Sequence, residues 1–554
     1  MKKSVITVLI LAILAAGVWL GRPAYRAHKE RNFAAQASAA LEKKELRLAL
    51  LSAQQALVLN SNNLAACKVM AELSDDSRSP QAMVWRRRIA DIQPTLENRI
   101  LFASCALRYE QPPFPMTAQA LHELSAQAQD YAPFHLVSAQ LALRLNQVAE
   151  TEKHFEAAIR LEPTNDLHRL NLAVVRLESK DTNASAAAHA QLEKLQASDS
   201  WAGPALRALV THHAARQQFG EAQHYSALLL RNRAATFGDR LEHLAVLRGA
   251  QSPEFNPFLE ALQRDSATNA VRAADLVTRM VALSIAREAV VWVKSLPTDV
   301  QTELPLPMAV AEAYARIRDW RGMEELLLAQ NWRERDFLRL ALLAYAVRNQ
   351  KANDVATVHW NGAVHLAASR PELMGMLAQL ASNWGWTNET ETLLWQAARQ
   401  FPRERWPIEA LQTRYARLRS TIGLFNVSTL LLEHDPSNAI AQNNWATLAL
   451  LLHTNVARAH LLARQVYDRD TNHFGFVSTY AFSLHLQGKT AEALKIIETL
   501  KPAELEKPAV ASYYGVILAA SGQTDKARRF LAKAEVAPIL PEELQMIADA
   551  RKGL

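Results

Sequence analysis

Between Val477 and Pro541 the sequence repeats itself at a fixed interval, and that interval restricts the fold more than any other feature. Tyr480-Ala481 recurs as Tyr514-Gly515, Leu484 as Leu518, Gly488 as Gly522, Ala493 as Ala527 and Ile497 as Leu531. The members of each pair are 34 residues apart (514 − 480, 522 − 488, 527 − 493). A fixed period of this size means one supersecondary unit stacked on copies of itself. Tyr480, Ala481 and Leu484 share a helix face, and Gly488 ends that helix. Ala493, Ile497 and Leu500 open a second face with the same spacing. Small residues at Ala481 and Ala493 let the two helices approach closely.

On these residues the chain resembles the tetratricopeptide repeat family, in its membrane-anchored bacterial form. The unit of that family is a 34-residue helix–turn–helix. The resemblance implies an all-α, right-handed superhelical solenoid of such repeats. Composition agrees. A chain of 554 residues is long for one globular core, but in a solenoid each repeat touches only its neighbours. It holds 16 Gly, well under the usual ~7 %, and is 49 % apolar, rich in Ala and Leu, which favours helix.

The N-terminal segment predicts a location. Lys2 and Lys3 precede an uncharged run, residues 4–21, of Ile, Leu, Val and Ala. At about 1.5 Å per residue it reaches roughly 27 Å, near the ~30 Å of a hydrocarbon core. Trp19 and Tyr25 occupy interfacial positions, and Arg22 and Arg26 close the segment. A transmembrane helix is therefore expected ahead of the repeats. Cleavage as a signal peptide near Ala15 and Gly17 is the alternative. The short basic tail favours export of the repeats to a periplasmic or other extracytoplasmic space, whereas Arg22, Arg26, Lys29 and Arg31 favour a cytoplasmic location.

The chain reads as an anchor or signal segment (1–32), N-terminal repeats (33–235), a degenerate helical segment (236–370), a regular array (371–541) and a C-terminal capping helix (542–554). In the first array, Glu162-Pro163-Thr164-Asn165 ends a unit. In the regular one, Pro436 follows Pro402 by 34 (436 − 402). Pro112-Pro113-Phe114-Pro115 reads as an interhelical loop. Between Arg248 and Leu306 helical periodicity persists without a recognisable repeat, and five prolines between Pro253 and Pro307 make a hinge there an open alternative.

A search for chemistry returns little. Gly488-Lys489-Thr490 ends like a phosphate-binding loop, but Ser483 stands where its first glycine belongs. No Gly-x-Ser-x-Gly elbow or dinucleotide-binding glycine triplet occurs. No two of the 17 histidines have the spacing of helical metal ligands, and His212-His213 point in different directions. Cys67 and Cys105 fit small core positions, with a disulfide left open. Basic and acidic residues, 62 against 55, are interspersed for a net charge of +7. Arg86-Arg87-Arg88 is thus a solvated face before it is a nucleic-acid patch. No catalytic residue, cofactor or metal is expected, and no nucleic acid.

What repeats offer is a surface. The resemblance places one stripe of the first helices in a concave groove: Gln379 and Ser382, Glu409 and Thr413, Asn444 and Leu448, then Ser478, Phe482 and His485. These amides, hydroxyls and apolar groups suit a protein or peptide partner. The lysine and asparagine clamp that some family members use for a carboxyl-terminal tail is missing. The expected function is a membrane-anchored, non-catalytic scaffold for an envelope complex. The alternative is an accessory subunit of an enzyme system, such as polysaccharide processing or export, with its site in the middle segment.

Overall fold

A computed structural model describes residues 25–534 and 539–554. The run 4–21, on which the anchor expectation rests, lies outside the described residues. No helix among them is long and apolar enough to cross a membrane. They are helical throughout, without a strand.

Consecutive helices pack in pairs joined by turns of a few residues, so that each pair is a hairpin. Phe474–Leu486 and Thr490–Ile497 form one pair, and Pro508–Ala520 and Thr524–Ala534 the next. The residues that carry the repeat are the ones these pairs bury. Ala481, Ala493, Ile497, Leu518, Ala527 and Leu531 are fully inaccessible, and Leu484 nearly so. First helices also contact first helices of the next pair, as Ala439–Leu451 does Phe474–Leu486 and Phe474–Leu486 does Pro508–Ala520. These contacts build a continuous wall of first helices.

Local chemistry sets the ends. Asn63, Asn165, Asn269 and Asn438 each accept a backbone N–H from the first turn of the helix they precede. Thr236 and Asp239 form a reciprocal capping box. Between the helices of a pair, one residue takes the left-handed conformation that lets the chain reverse. It is glycine at Gly385, Gly488 and Gly522 (φ +73°, +79° and +76°). Elsewhere Gln217, Gln251, Ser284, Arg318, Lys351, Arg419 and His453 hold the same geometry, with φ between 50° and 69°.

These positions recur every 33 to 35 residues (251 − 217, 284 − 251, 318 − 284, 351 − 318, 385 − 351, 488 − 453). The backbone repeat therefore runs through residues 236–370, including the stretch 248–306 where residue identities register none. The pairs there are Phe237–Gly249 with Phe255–Ser266, Ala270–Ala282 with Ala286–Val293, Leu306–Ile317 with Trp320–Leu328, and Asp336–Asn349 with Asn353–Ala367. A five-residue helix, Thr298–Thr302, is inserted between two of them.

The chain divides into two compact units, at Ser266/Ala267. In the first unit, Leu192, Leu209 and Ala222 centre one core, and Ala103, Leu121 and Leu124 another. Cys67 and Cys105 are free and buried there, and burial pushes both thiols up. Of the arginine triplet, Arg86 pairs with Asp75 at 2.8 Å. Pro112-Pro113-Phe114 is an interhelical connection, and Pro115 opens the helix Pro115–Leu124. In the second unit, one core runs from Leu432 through Trp445, Phe482 and Tyr513 to Ala527. The C-terminal helix, Pro541–Lys552, closes it by inserting Ile547 beside Val516, Leu531 and Ala534.

Candidate functional site

The wall of first helices in the second unit carries several recesses, two of them along the same three helices. One, of about 540 Å³, the polar recess, gathers hydrogen-bonding side chains within a largely apolar lining. Trp406–Arg417 lends it Thr413. Ala439–Leu451 lends Asn443, Asn444, Thr447 and Leu448. Phe474–Leu486 lends Ser478 and Thr479, Pro508–Ala520 lends Tyr513, and the C-terminal helix lends Glu543.

Most of these groups are already paired. The Thr447 hydroxyl donates to the Asn443 carbonyl (3.0 Å), so at the 2.8 Å contact between Thr447 and Thr479 the donor is Thr479. Ser478 donates to the Gly475 carbonyl at 3.1 Å, and Tyr513 donates to Glu543 at 2.7 Å. Burial and that carboxylate push the Tyr513 phenol far up, so it remains a donor. Asn443 is the exception. It is 9 % exposed, its amide N–H reaches Asn444 at 3.4 Å, and its side-chain oxygen has no partner. A buried carbonyl left unpaired costs ~1–3 kcal/mol, so a donor brought to this oxygen would recover that cost.

The second recess, about 660 Å³, is mainly apolar. Leu450, Leu451, Phe482, Leu486 and Val516 face Met546 and Ala550 of the C-terminal helix across it. A larger recess of about 930 Å³ lies around Trp395 and Tyr415. There Trp395 donates to the Tyr415 hydroxyl, which donates to Glu391.

The stripe expected from the sequence divides among these places. Thr413, Asn444, Leu448 and Ser478 come together in the polar recess. Glu409 shares a neighbouring recess of about 400 Å³ with Asn444. Phe482 and His485 line the apolar one. Gln379 and Ser382 are exposed on Pro371–Asn383, away from these recesses. One correction concerns exposure. Leu448, Ser478 and Phe482 are 7 %, 5 % and 3 % exposed and form the wall itself. Phe482 packs on Tyr513 with ring centroids 4.7 Å apart.

Asn443, Thr447, Thr479, Tyr513 and Glu543 were not in that stripe. The period held part of the signal, since Thr447 follows Thr413 by 34 (447 − 413) and Tyr513 follows Thr479 by 34 (513 − 479). Nothing in the sequence pointed to Glu543.

Histidines come together elsewhere, in the first unit. His135 donates through Nε2 to the Gln129 carbonyl (2.9 Å), so its Nδ1 accepts from His154 Nδ1 at 3.0 Å. His189 and His213 meet at 3.0 Å beside Tyr225. His212 sits on Glu178 at 2.6 Å. No group of three or more His, Cys, Asp or Glu able to hold a metal occurs among the described residues.

The fold and site together define an array of helical hairpins whose first helices carry recesses. No family model and no curated relative matches the sequence. Solved structures align with it at low similarity. The APC/C hetero-tetramer Cut9-Hcn1 aligns with 84 % of this chain and 99 % of that one, at 12 % identity and a TM-score of 0.28. A tetratricopeptide repeat protein from Parabacteroides merdae aligns with 45 % and 96 %, at 16 % identity and a TM-score of 0.24. PilW, a type IV pilus biogenesis factor, aligns with 43 % and 94 %, at 17 % identity and a TM-score of 0.27. Scores this low carry no argument about partners or activity.

Proposed function

We propose that this chain is a non-catalytic scaffold of tetratricopeptide type that holds a protein partner through the inner wall of its second unit. The observation that carries this reading is the unpartnered Asn443 oxygen, buried beside a recess in which Thr447, Ser478, Thr479 and Tyr513 are already hydrogen-bonded. An extended peptide supplies the missing donor from its backbone, and the hydroxyls of Ser478 and Thr479 border its path. A rigid stack of hairpins is preorganised, so little ordering cost opposes binding. Residues 4–21 would anchor the scaffold in a membrane with its repeats on the exported side, where it would support assembly of an envelope complex.

A phage-displayed peptide library selected on the full chain tests the site. Peptides enriched on the wild type and lost on Asn443→Leu, which keeps the side-chain shape and removes the amide, support it. Equal enrichment on both proteins, or none on either, rejects it. Protease protection in spheroplasts tests the location, since exported repeats are cut from outside.

A further inference from the structure

The two recesses lie at opposite ends of the same three helices. Asn443, Asn444, Thr447 and Leu448 from the middle of Ala439–Leu451, with the N-terminal halves of Phe474–Leu486 and Pro508–Ala520, line the polar one. Their C-terminal halves line the apolar one. Between the two stands the first turn of the C-terminal helix. Glu543 faces the polar recess, where it accepts from Tyr513. Glu542 lines the apolar recess and accepts from the Thr421 hydroxyl, 121 residues away.

A helix that only covered the end of the array would touch the last pair. Ile547 does that. Glu542 instead reaches the first residue of Thr421–His434, far back along the unit. The helix therefore lies across the wall rather than only at its end. Its fit there is incomplete. A recess of about 660 Å³, open to solvent, lies between Met546 and Ala550 on one side and Leu450, Leu451 and Leu486 on the other.

We infer that the C-terminal helix is an internal occupant of a helix-binding groove, latched by Glu542 on Thr421 and Glu543 on Tyr513, and that the groove's partner is a helix that displaces it. The helix in place specifies the chemistry of that partner. It needs carboxylates in its first turn to take over the two hydroxyls. Apolar side chains must follow at the positions of Met546 and Ala550, the second bulkier than alanine so as to fill the recess. This inference shares the inner wall with the proposed function but not its key residue, so failure of the Asn443 experiment leaves the following one intact.

The probe is a fluorescein-labelled peptide of residues 539–554 carrying Ala550→Leu. It is titrated against the full-length wild type and a full-length Glu542→Gln/Glu543→Gln variant. Hydrogen exchange is measured on both proteins, with residues 508–520 as the internal control for folding. The expected result is faster exchange over 541–552 in the variant, unchanged exchange over 508–520, and at least tenfold tighter peptide binding than by the wild type. Equal affinities, no binding by either protein, or unchanged exchange over 541–552 would each overturn the inference.

Discussion

The Thr421 hydroxyl donates to the Glu542 carboxylate across 121 residues of sequence. Thr421 is 3 % exposed, so its hydroxyl has little access to water as a substitute partner. Thr421→Val preserves the side-chain outline and removes the donor. The expected loss is about 1 kcal/mol, below the ~1.5–3 kcal/mol of a bond to a fully buried charge because Glu542 is partly solvated. A urea denaturation midpoint checks it, and Thr421→Ser should restore most of the loss.

Asn443 and Phe482 should respond in opposite directions. Asn443→Leu removes an unpaired buried oxygen, so stability should hold or rise by up to about 1 kcal/mol. Phe482→Ala empties a site packed against Tyr513 and should cost about 3–5 kcal/mol. Urea midpoints of the two variants decide this. Weaker partner binding by Phe482→Ala would then reflect a damaged wall rather than a lost contact.

Two glycines make a second contrast. A Cβ on Gly515 would fall 2.7 Å from Leu531 Cδ2 and 3.1 Å from the Leu531 backbone nitrogen, where the helices of the last pair cross. Gly515→Ala should therefore cost about 1–3 kcal/mol through overpacking, despite alanine's better helix propensity. A Cβ on Gly220 meets nothing within 4 Å. Gly220→Ala should stabilise by about 0.5 kcal/mol. Thermal midpoints of the two variants should move in opposite directions.

Acid should loosen the first unit. Burial, with His135 beside it, holds His154 below its ordinary 6.5, and burial does the same to His212 and His243. Above that value the imidazoles are neutral in both states, and stability is at its full level. As pH falls through 6.5 the unfolded chain takes up protons that the folded chain resists, so stability declines until the folded groups also protonate. The lowered carboxylates Glu162 and Asp239 act in the same direction but in a lower range: their stabilisation is lost near and below their ordinary 4.5 and 3.8, outside this window. Denaturation midpoints between pH 7.5 and 5.5 should fall, and His154→Gln should make the fall shallower.

How legible the fold was depended on which residue filled each left-handed turn. Glycine marks Gly385, Gly488 and Gly522, where the pattern reads from residue identities. Gln251, Ser284, Arg318 and Lys351 adopt the same backbone without announcing it, as Arg419 and His453 do in the regular array, so no turn glycine marked the units between 236 and 370. The turn needs a conformation, and when neighbouring helices enforce it many side chains can pay its modest strain. In the candidate site, the period located Thr413, Asn444, Leu448 and Ser478. It did not tell an exposed stripe from a buried wall, because that depends on what packs above it.

By itself the sequence determined the helical hairpin, its period and the small residues at which helices cross, since spacing and side-chain size act within one unit and its neighbour. Tertiary structure alone decided which amide is left unpaired, which histidines share a proton, and where the C-terminal helix lies. Those outcomes depend on groups brought together from distant parts of the chain, and neither Thr421 nor Glu542 carries any local mark of the other.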